Sequence, residues 1–512
     1  MNPKLTSYWI DSTSEAMFPS LSDDLIVDVA IVGGGIAGLT TAMLLKKAGK
    51  TVAVIDARKI AAGVSGHTTA KVTSLHQLIY ANLLENLGID KARIYAESNQ
   101  AALEQVAKFV AEENIDCDFS RRSAYTFAES AHGLIKIQEE VTAALELGLP
   151  ASFVQETPLP FPVTGAIRFD QQAQFHPRKY LLHLAQCIQG DGSYVFEDTT
   201  VTNAESAKTY CQVTTDRGVI TAQQVVVTTH LPILDSGLFF AKTYPKRSYI
   251  VGARINPDQA PEGMFIGCGE KYFSIRTTPD RNSPDENAVL LLIGGGGHKV
   301  GEVTNTEEQY QKVKDFARER FGLDTFDYRW STQDMVSFDK LPYIGNLTPT
   351  TPDIYVATGF SLWGMTNGTL AGMLLSEMIL GITNPWADLY DSTRIKPFVT
   401  PESIKQTISV GMNWVGERFK GSDISELAQV ETGKAELITI DGEKIAAYRD
   451  EQGSIHTISA VCPHLGCILA WNNAEKSWDC PCHGSRFGCD GGVLHGPAVT
   501  DLKVSPASAA TK

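Results

Sequence analysis

The sequence has little positive charge and no long hydrophobic run. Its 512 residues include 44 lysines and arginines against 59 aspartates and glutamates, a formal net charge of −15 at pH 7. This acidity argues against nucleic acid as a partner, because phosphates require a basic surface. The longest apolar run towards the end, AGMLLSEMILGI, has twelve residues and contains Ser376 and Glu377. It is too short and too polar to span a bilayer, so we expect no transmembrane segment.

The N-terminal stretch MNPKLTSYWIDSTSEAMF lacks the apolar core of a secretory signal, which predicts a cytoplasmic protein. Cysteine is also scarce, with 9 in the whole chain, so we do not expect a disulfide scaffold. Four of the nine are scattered and are expected to be buried as small hydrophobic residues. The other five lie between Cys462 and Cys489, so the C-terminal segment needs a separate explanation. At this length we expect two or three domains.

A strand, a turn, a helix and a second strand are predicted by VDVAIVGGGIAGLTTAMLLKKAGKTVAVID. Gly33, Gly35 and Gly38 fit the pattern G-x-G-x-x-G. In this pattern the glycines permit a tight turn, close approach to a pyrophosphate and close helix–strand packing. Asp56 ends the second strand, where a carboxylate accepts hydrogen bonds from ribose hydroxyls. The pattern therefore predicts an α/β dinucleotide-binding domain.

Residues 25–385 resemble the D-amino-acid oxidase-like flavoproteins, which include glycine oxidase, sarcosine oxidase and dimethylglycine dehydrogenase. Besides the glycine pattern, the resemblance lies in AAGVSGHTTA, GAIRFDQQAQFHPRKYLLHLA, TAQQVVVTTH, FDKLPYIG and DIYVATGFSLWGMTNGTLAGMLLSEMI. It implies FAD in a Rossmann-like α/β domain, an interleaved α+β substrate domain, and an amine or amino-acid substrate. The family more often has glutamate at the position of Asp56, and either residue supplies a carboxylate. The FAD contacts that the resemblance implies are Gly33, Gly35, Ile36, Ala37, Gly38, Asp56, Ala57, Arg58, Ser65, His67, Thr68, Thr69, Val201, Gly359, Phe360, Trp363, Gly364, Met365 and Thr366.

A second glycine-rich run, VLLLIGGGGHKVG at residues 289–301, is similar to a nucleotide loop, but no helix of the right period follows it. We therefore interpret the run as a strand and turn of the substrate domain. Its GHKVG also resembles the turn that places a lysine over the flavin in sarcosine oxidase. On this resemblance Lys299, with His298 beside it, is a candidate catalytic residue, and the alternative is that both are solvated turn residues.

His67 lies eleven residues after Asp56. In dimethylglycine dehydrogenase-like members, a histidine at the matching offset is bonded covalently to the flavin. Those members have a tryptophan immediately before the histidine, whereas this sequence has Gly66. A covalent bond, a non-covalent contact with the flavin and a hydrogen bond to the backbone are therefore the alternatives for His67.

The clustered cysteines belong to two short stretches, CPHLGC from Cys462 and CPCHGSRF from Cys480. Two cysteines and two histidines would also suit zinc. However, paired zinc ligands are usually separated by two to four residues, and Cys462 and His464 are separated by one.

Residues 424–505 resemble the Rieske iron–sulfur domain, whose two cluster-binding loops match these stretches and whose later loop matches GPA at 496–498. The resemblance implies a [2Fe–2S] cluster in which one iron has two thiolate ligands and the other has two imidazole ligands. In the high-potential branch of the family, two further cysteines form a disulfide between the loops. In that branch a serine donates to a bridging sulfide, and many members have a tyrosine two residues later, where this sequence has phenylalanine. One hydrogen-bond donor is thus missing, so we expect the reduction potential of the cluster to be of the high-potential type but lowered. The residues concerned are Cys462, Cys480, His464 and His483 as ligands, Cys467 and Cys482 as the disulfide, and Ser485 and Phe487 beside the cluster.

These patterns predict an N-terminal extension (1–24), an FAD-dependent oxidoreductase (25–390), a helical linker (391–423) and a small all-β Rieske domain (424–512). In the linker, an amphipathic helix over residues 402–420 is expected to pack on the flavoprotein or to lie on a membrane surface. The FAD-binding parts of the oxidoreductase are expected at about 25–80, 160–235 and 335–385, with the substrate parts between them.

Flavin and cluster in one chain imply an electron circuit. The substrate gives a hydride to the flavin, the flavin passes single electrons to the cluster, and the cluster reduces a one-electron acceptor protein or a quinone. Two alternatives remain open, namely a reductase that runs this circuit in reverse and an oxygen-using oxidase whose cluster is structural or a redox sensor. A Rieske oxygenase is not expected, because no mononuclear iron site of two histidines and a carboxylate is apparent.

Overall fold

The computed structural model describes residues 3–14, 17–269, 272–395 and 427–505. The expected amphipathic helix over residues 402–420 lies outside these ranges. Within them, two large sheets and several helices form the first 395 residues, and two small sheets form the C-terminal region. The predicted fold class, a Rossmann-like α/β domain with an interleaved substrate domain and a small all-β domain, is confirmed. No helix in the described ranges has the length and apolar character that a membrane span needs.

The first sheet carries the glycine-rich turn and is mostly parallel. Its strands are β1 (Leu25–Val32), β2 (Val52–Ile55), β7 (Tyr194–Phe196), β8 (Val201–Ser206), β9 (Cys211–Thr215), β10 (Val219–Val227), β16 (Tyr343–Asn346) and β17 (Ile354–Thr358). They run in the order β16-β17-β10-β1-β2-β7, with β9 paired to β10 and β8 paired to β9. The central strands are mainly apolar and largely buried because both faces of a parallel sheet are covered.

The second sheet forms the substrate domain and is mostly antiparallel. Its strands are β3 (Lys71–Val72), β4 (Ser120–Ala128), β5 (Ala151–Val154), β6 (Gly165–Gln174), β11 (Thr243–Ile255), β12 (Met264–Gly267), β13 (Ser274–Pro279), β14 (Val289–Lys299) and β15 (Tyr328–Ser337). They run in the order β15-β11-β14-β13-β12-β4-β6-β3, with β5 on β6. The glycine-rich run at 289–301 is therefore a central strand and its turn, as the sequence predicts.

The helices cover the two sheets. They are α1 (Tyr8–Asp11), α2 (Ile36–Lys47), α3 (Tyr80–Leu87), α4 (Ile89–Glu112), α5 (Ala131–Glu146), α6 (Pro177–Ile188), α7 (Glu307–Phe321), α8 (Gly364–Ile379) and α9 (Ala387–Tyr390). Helix α2 follows the glycine-rich turn and packs against α8. Gly33 has a φ of +109°, and a Cβ atom on Gly38 would lie 2.0 Å from the Gly33 carbonyl oxygen. Only glycine at Gly38 allows α2 to start this close to β1.

The C-terminal region is a small all-β unit. One sheet contains β18 (Ala435–Ile440), β19 (Glu443–Arg449) and β20 (Ile455–Ser459), and the other contains β21 (Ala470–Asn472), β22 (Ser477–Asp479), β23 (Arg486–Phe487) and β24 (Val493–His495). The two cysteine-rich stretches form the loops before β21 and between β22 and β23. Cysteines and apolar side chains of both loops share one buried core with β19 and β20.

This β unit is joined to the substrate sheet by buried charges. Arg247 on β11, with a side chain only 1% exposed, lies 3.2 Å from Glu475 and 3.0 Å from Asp479. Arg486 pairs with the same two carboxylates from within the β unit. Burial opposes the charged form of Glu475, but Arg486 and Arg247 outweigh burial and lower its pKa to about 2. Two arginines and two carboxylates thus form a balanced network across the interface.

We predict that Arg247→Met strongly destabilises the protein. Removing one partner of a buried ion pair leaves uncompensated charge and costs about 3–5 kcal/mol. The free energy of unfolding in urea, measured on the purified protein, should fall by this amount.

Arg318 provides the matched control, because it also pairs with two carboxylates, Asp315 and Asp324, but on the surface. Arg318→Met should lower the free energy of unfolding far less than Arg247→Met, because water screens an exposed ion pair. Equal losses in Arg247→Met and Arg318→Met would show that the buried network does not hold the interface together.

Candidate functional site

A cavity of about 410 Å³ lies where the first sheet, the substrate sheet and the C-terminal β unit meet. Its volume is within the range of small-molecule and cofactor sites. One end is formed by the glycine-rich turn and the start of α2, and the opposite wall by strands of the substrate sheet. Residues from the C-terminal β unit complete the wall, which the sequence did not predict: Val493, His495, Gly496, Ala498, Val499 and Asp501.

The glycine-rich end of the cavity has the geometry of a dinucleotide site. Asp56 accepts hydrogen bonds from the backbone N–H groups of Gly34 and Arg58, each at 2.9 Å. Ser65 accepts a hydrogen bond from the N–H of Ile36 at 3.2 Å, so its hydroxyl lies at the N-terminus of α2. A helix N-terminus with free N–H groups favours a phosphate, and the neighbouring carboxylate suits a ribose.

Most of the FAD contacts expected from the sequence line this cavity. They are Gly33, Gly35, Ile36, Ala37, Asp56, Ala57, Arg58, Ser65, Thr68, Thr69, Val201, Phe360, Trp363, Gly364 and Met365. The last two begin α8, so the positive end of that helix dipole faces the cavity. Four expected contacts do not line it, namely Gly38, His67, Gly359 and Thr366. Gly38 instead permits helix packing, and Thr366 lies 3.0 Å from the buried imidazole of His76.

The loop that carries Thr68 and Thr69 is held from several sides. Trp9, from the N-terminal segment, donates its indole N–H to the Thr68 carbonyl at 2.7 Å. Arg276 donates to the carbonyls of Thr69 and Ala70 at 3.0 and 2.7 Å. The segment before β1 therefore packs into the oxidoreductase and fixes a wall of its cavity.

His67 is not among the residues that line the cavity. Its Nδ1 lies 2.8 Å from the Gly63 carbonyl oxygen, and its own carbonyl accepts from the indole N–H of Trp330 at 2.9 Å. Burial is the main cause that lowers the pKa of His67, so the ring is neutral and donates to Gly63. Of the alternatives for His67, this geometry favours the hydrogen bond to the backbone.

The expected catalytic pair is also absent from the wall of this cavity. Neither Lys299 nor His298 is among the residues of its wall. His298 lies 3.0 Å from the Tyr249 hydroxyl and 2.8 Å from the Lys299 carbonyl. Strand β14, which carries both residues, lines the cavity with its earlier glycines Gly294, Gly295 and Gly297. After the strand, Gly301 contacts Pro481 of the β unit.

Lys71 is the lysine that lines the cavity. It starts β3 and donates a hydrogen bond to the Ser274 hydroxyl on the substrate sheet. Burial, and then the positive charge of Arg276, lower the pKa of Lys71 to about 7. Nothing in the family resemblance singled it out, although a lysine directly after the expected flavin loop was a signal that sequence reasoning could have used.

Three titratable residues meet at the cavity wall on the side of the β unit. His230 Nδ1 lies 3.0 Å from His495 Nε2, and His230 Nε2 lies 3.6 Å from the Asp334 carboxylate. His230 adopts a positive φ of 68°, which is uncommon for a residue other than glycine. Burial, and then His230 and Arg58, lower the pKa of His495 well below its ordinary value, so His495 is neutral.

The second part of the site is formed by the two cysteine-rich loops. Cys462 and Cys480 are buried, and the rings of His464 and His483 lie 5.1 Å apart. In the described part of the chain, both histidine Nδ1 atoms are buried without a hydrogen-bond partner. Two thiols and two orphaned ring nitrogens on facing loops are the donor set of a mixed-ligand [2Fe–2S] cluster. The residues present therefore fit this cluster.

The residues around these four side chains agree with the resemblance to the Rieske domain. Cys467 and Cys482 form a disulfide that ties the loops together, and the Cys480 sulfur lies within 4.8 Å of both sulfurs. Ser485 is fully buried, and its hydroxyl oxygen accepts from the Ala498 N–H at 3.0 Å. Its own proton is thus left for another acceptor beside the loops. Phe487 is buried in the same core.

The oxidoreductase covers the outer edges of both histidines. Asp235 accepts a hydrogen bond from His464 Nε2 at 2.8 Å. The ring of Phe240 lies 5.3 Å from that of His483 and 6.2 Å from that of His464. Neither residue carried a sequence signal, because both are on the other domain.

The cavity and the cysteine–histidine site together are those of a flavoprotein with its own iron–sulfur centre. The chain belongs to the FAD dependent oxidoreductase family (DAO), whose model matches residues 28–378, and residues 422–506 match the Rieske [2Fe-2S] domain. The expected cofactors, FAD and a [2Fe–2S] cluster, are thereby confirmed, and zinc is not favoured.

Among known proteins, one relative shares the whole architecture. YhfW of Bacillus subtilis (strain 168), named as a Rieske 2Fe-2S iron-sulfur protein, is 35% identical over 503 residues, which is 97% of each chain. Gamma-glutamylputrescine oxidoreductase of Escherichia coli (strain K12) is 26% identical over 412 residues, covering 74% of this chain and 90% of its own length. The fold is similar to that of glycine oxidase from Geobacillus kaustophilus, with a TM-score of 0.61 at 18% identity over 72% of this chain and 99% of that chain.

We predict that FAD is held without a covalent bond, because His67 does not line the cavity and its ring is hydrogen-bonded to the Gly63 carbonyl. Acid precipitation of the purified protein should release all of the yellow colour into the supernatant. Flavin that stays with the precipitate in the wild type, but is released from His67→Ala, would show that the histidine turns to the flavin and bonds it.

Proposed function

We propose that this protein oxidises an amine or an amino acid with FAD and passes the electrons singly through its Rieske cluster to an external acceptor. The observation that carries the proposal is the shared cavity wall, since residues of the Rieske domain line the same cavity as the dinucleotide turn. Bound FAD would accept the hydride from the carbon beside the nitrogen, and the cluster would carry single electrons onward.

A short hydrogen-bonded path supports the electron transfer. Ala498 lies in the cavity wall and donates its N–H to the Ser485 hydroxyl at 3.0 Å. The Ser485 carbonyl in turn accepts from the N–H of Cys480, a proposed cluster ligand, at 2.7 Å. One loop of the Rieske domain thus touches both the flavin cavity and the ligand loops.

The substrate class is supported by the relatives and by the chemistry of the wall. The names of gamma-glutamylputrescine oxidoreductase and glycine oxidase both refer to compounds with an amino group. Lys71 faces the cavity from beside Ser274 of the substrate sheet, and a neutral amine there accepts a proton from a substrate ammonium. Deprotonation exposes the nitrogen lone pair, which a hydride transfer from the neighbouring carbon requires. Lys71 is therefore the proposed general base.

The acceptor is proposed to be a one-electron acceptor protein or a quinone. Because Asp235 and Phe240 cover the histidine edges, we expect the acceptor to approach the cluster from another side. The tip of the first ligand loop, with Val461 and Pro463 exposed, offers one such side.

Anaerobic addition of candidate amines and amino acids tests the function. A true substrate should bleach the flavin absorbance and then produce the electron resonance signal of a reduced mixed-ligand cluster. In His483→Cys, the same substrate should still bleach the flavin, while the cluster signal moves towards the all-cysteine type or disappears. Flavin bleaching with a cluster that stays oxidised would support the oxygen-using oxidase instead, and cluster reduction by an external donor followed by flavin bleaching would support the reductase.

We predict that Lys71→Met lowers the rate of flavin reduction by about 10²–10⁴-fold, the usual contribution of general-base catalysis. Lys299→Met is the matched control and should change the rate little, because Lys299 does not line the cavity. With a pKa of about 7, Lys71 is charged below this pH and neutral above it. The wild-type rate in stopped-flow measurements should therefore rise with pH through about 7. A larger loss in Lys299→Met than in Lys71→Met would return the role to the turn at residues 298–299.

A further inference from the structure

The hydrogen bond between Asp235 and His464 joins two domains at a cluster ligand. The Asp235 carboxylate accepts from His464 Nε2 at 2.8 Å, and the two residues are 229 positions apart in the sequence. The other ring nitrogen of His464, Nδ1, is buried and has no hydrogen-bond partner in the described part of the chain. The proton is therefore on Nε2, and Nδ1 is the nitrogen that is free to bind iron.

The contact is sheltered from solvent on the side of the ligand. The His464 side chain is 5% exposed, whereas Asp235 is 42% exposed. Phe240 follows five residues after Asp235 in the same turn region and packs its ring edge-on against both imidazoles. A charge beside a ligand in such surroundings is screened less than on an open surface.

The two histidine ligands are consequently not equivalent. Within the described ranges, no carboxylate lies within ion-pair distance of His483, whose ring faces Phe240. In these ranges, His464 alone combines a buried ring nitrogen that has no partner with an N–H that a carboxylate binds. A carboxylate on the outer nitrogen makes the inner nitrogen a stronger electron donor to the metal.

We propose that Asp235 is a positioning residue by which the oxidoreductase domain lowers the reduction potential of the Rieske cluster. Reduction adds one negative charge to the cluster, and a carboxylate next to a ligand disfavours that charge. The stronger donation from His464 stabilises the oxidised iron, which acts in the same direction. The docked flavoprotein thus makes the cluster a stronger reductant towards the acceptor than its own loops would make it. This inference depends on the cluster and not on the identity of the substrate.

The test is the midpoint potential of the cluster in the full-length holoprotein, measured by electron resonance during a dithionite titration. Asp235→Asn keeps the shape of the side chain but removes its charge. We expect the reduction equilibrium to move about tenfold towards the reduced cluster, which corresponds to about 59 mV for one electron. The nitrogen hyperfine couplings of the two imidazoles should also become more alike.

Glu443→Gln is the matched control, since it removes one negative charge from an exposed position of the Rieske domain. It should leave the midpoint potential unchanged. An Asp235→Asn potential that is unchanged, is lowered, or moves only as far as in Glu443→Gln would overturn the proposal.

Asp235→Glu distinguishes an effect of the carboxylate charge on the potential from an effect of a disturbed interface. It keeps a carboxylate near His464, so its potential should stay closer to that of the wild type than to that of Asp235→Asn. Iron and sulfide content measured on every variant establishes that the cluster is intact. An equal rise of the potential in Asp235→Glu and Asp235→Asn would show that the carboxylate does not set the potential. The same conclusion would follow if Asp235→Asn lost its iron while Asp235→Glu kept the cluster at a raised potential.

Discussion

The balanced group of Arg247, Glu475, Asp479 and Arg486 is the interaction on which the arrangement of the whole molecule depends. Burying four charges is costly, and the cost is offset only when each charge keeps its partners in good geometry. The Rieske domain therefore has one low-energy position against the substrate sheet. In that position one of its loops lines the flavin cavity, and its histidine ligands contact the oxidoreductase.

Two different environments follow from this one docking arrangement. On one side, the loop with Ala498 joins a cavity whose wall includes Lys71 and His495, and burial lowers the pKa of both residues. On the other side, the ligand loops meet a carboxylate and an aromatic ring. The distance between the flavin cavity and the ligand loops is thus fixed by packing, and the local polarity of each is supplied in part by the opposite domain. Neither half of the protein has its complete site alone.

The sequence predicts the features that depend on residues close together in the chain. It does not predict the features that depend on contacts between the two domains. The turn at Gly33 and Gly38 and the two cysteine-rich loops follow from short patterns, because each function needs those residue types at that spacing. Lys299 does not line the cavity, because a resemblance identifies a lysine without showing which residues of its strand reach the cavity wall. Asp235 could not be predicted, because its role arises only when distant segments meet. Contacts between domains leave no periodicity or spacing in either segment.

The wall that residues 493–501 give to the flavin cavity also links cofactor retention to biosynthesis. Domains fold as units, from the N-terminus onward, as the chain leaves the ribosome. The glycine-rich turn is made well before this wall, because residues 493–501 come much later in the sequence. The flavin compartment is therefore completed only when the iron–sulfur domain has folded and docked. A chain with a damaged Rieske domain would hold its flavin less well, so the flavin content of the purified protein indicates whether that domain is intact.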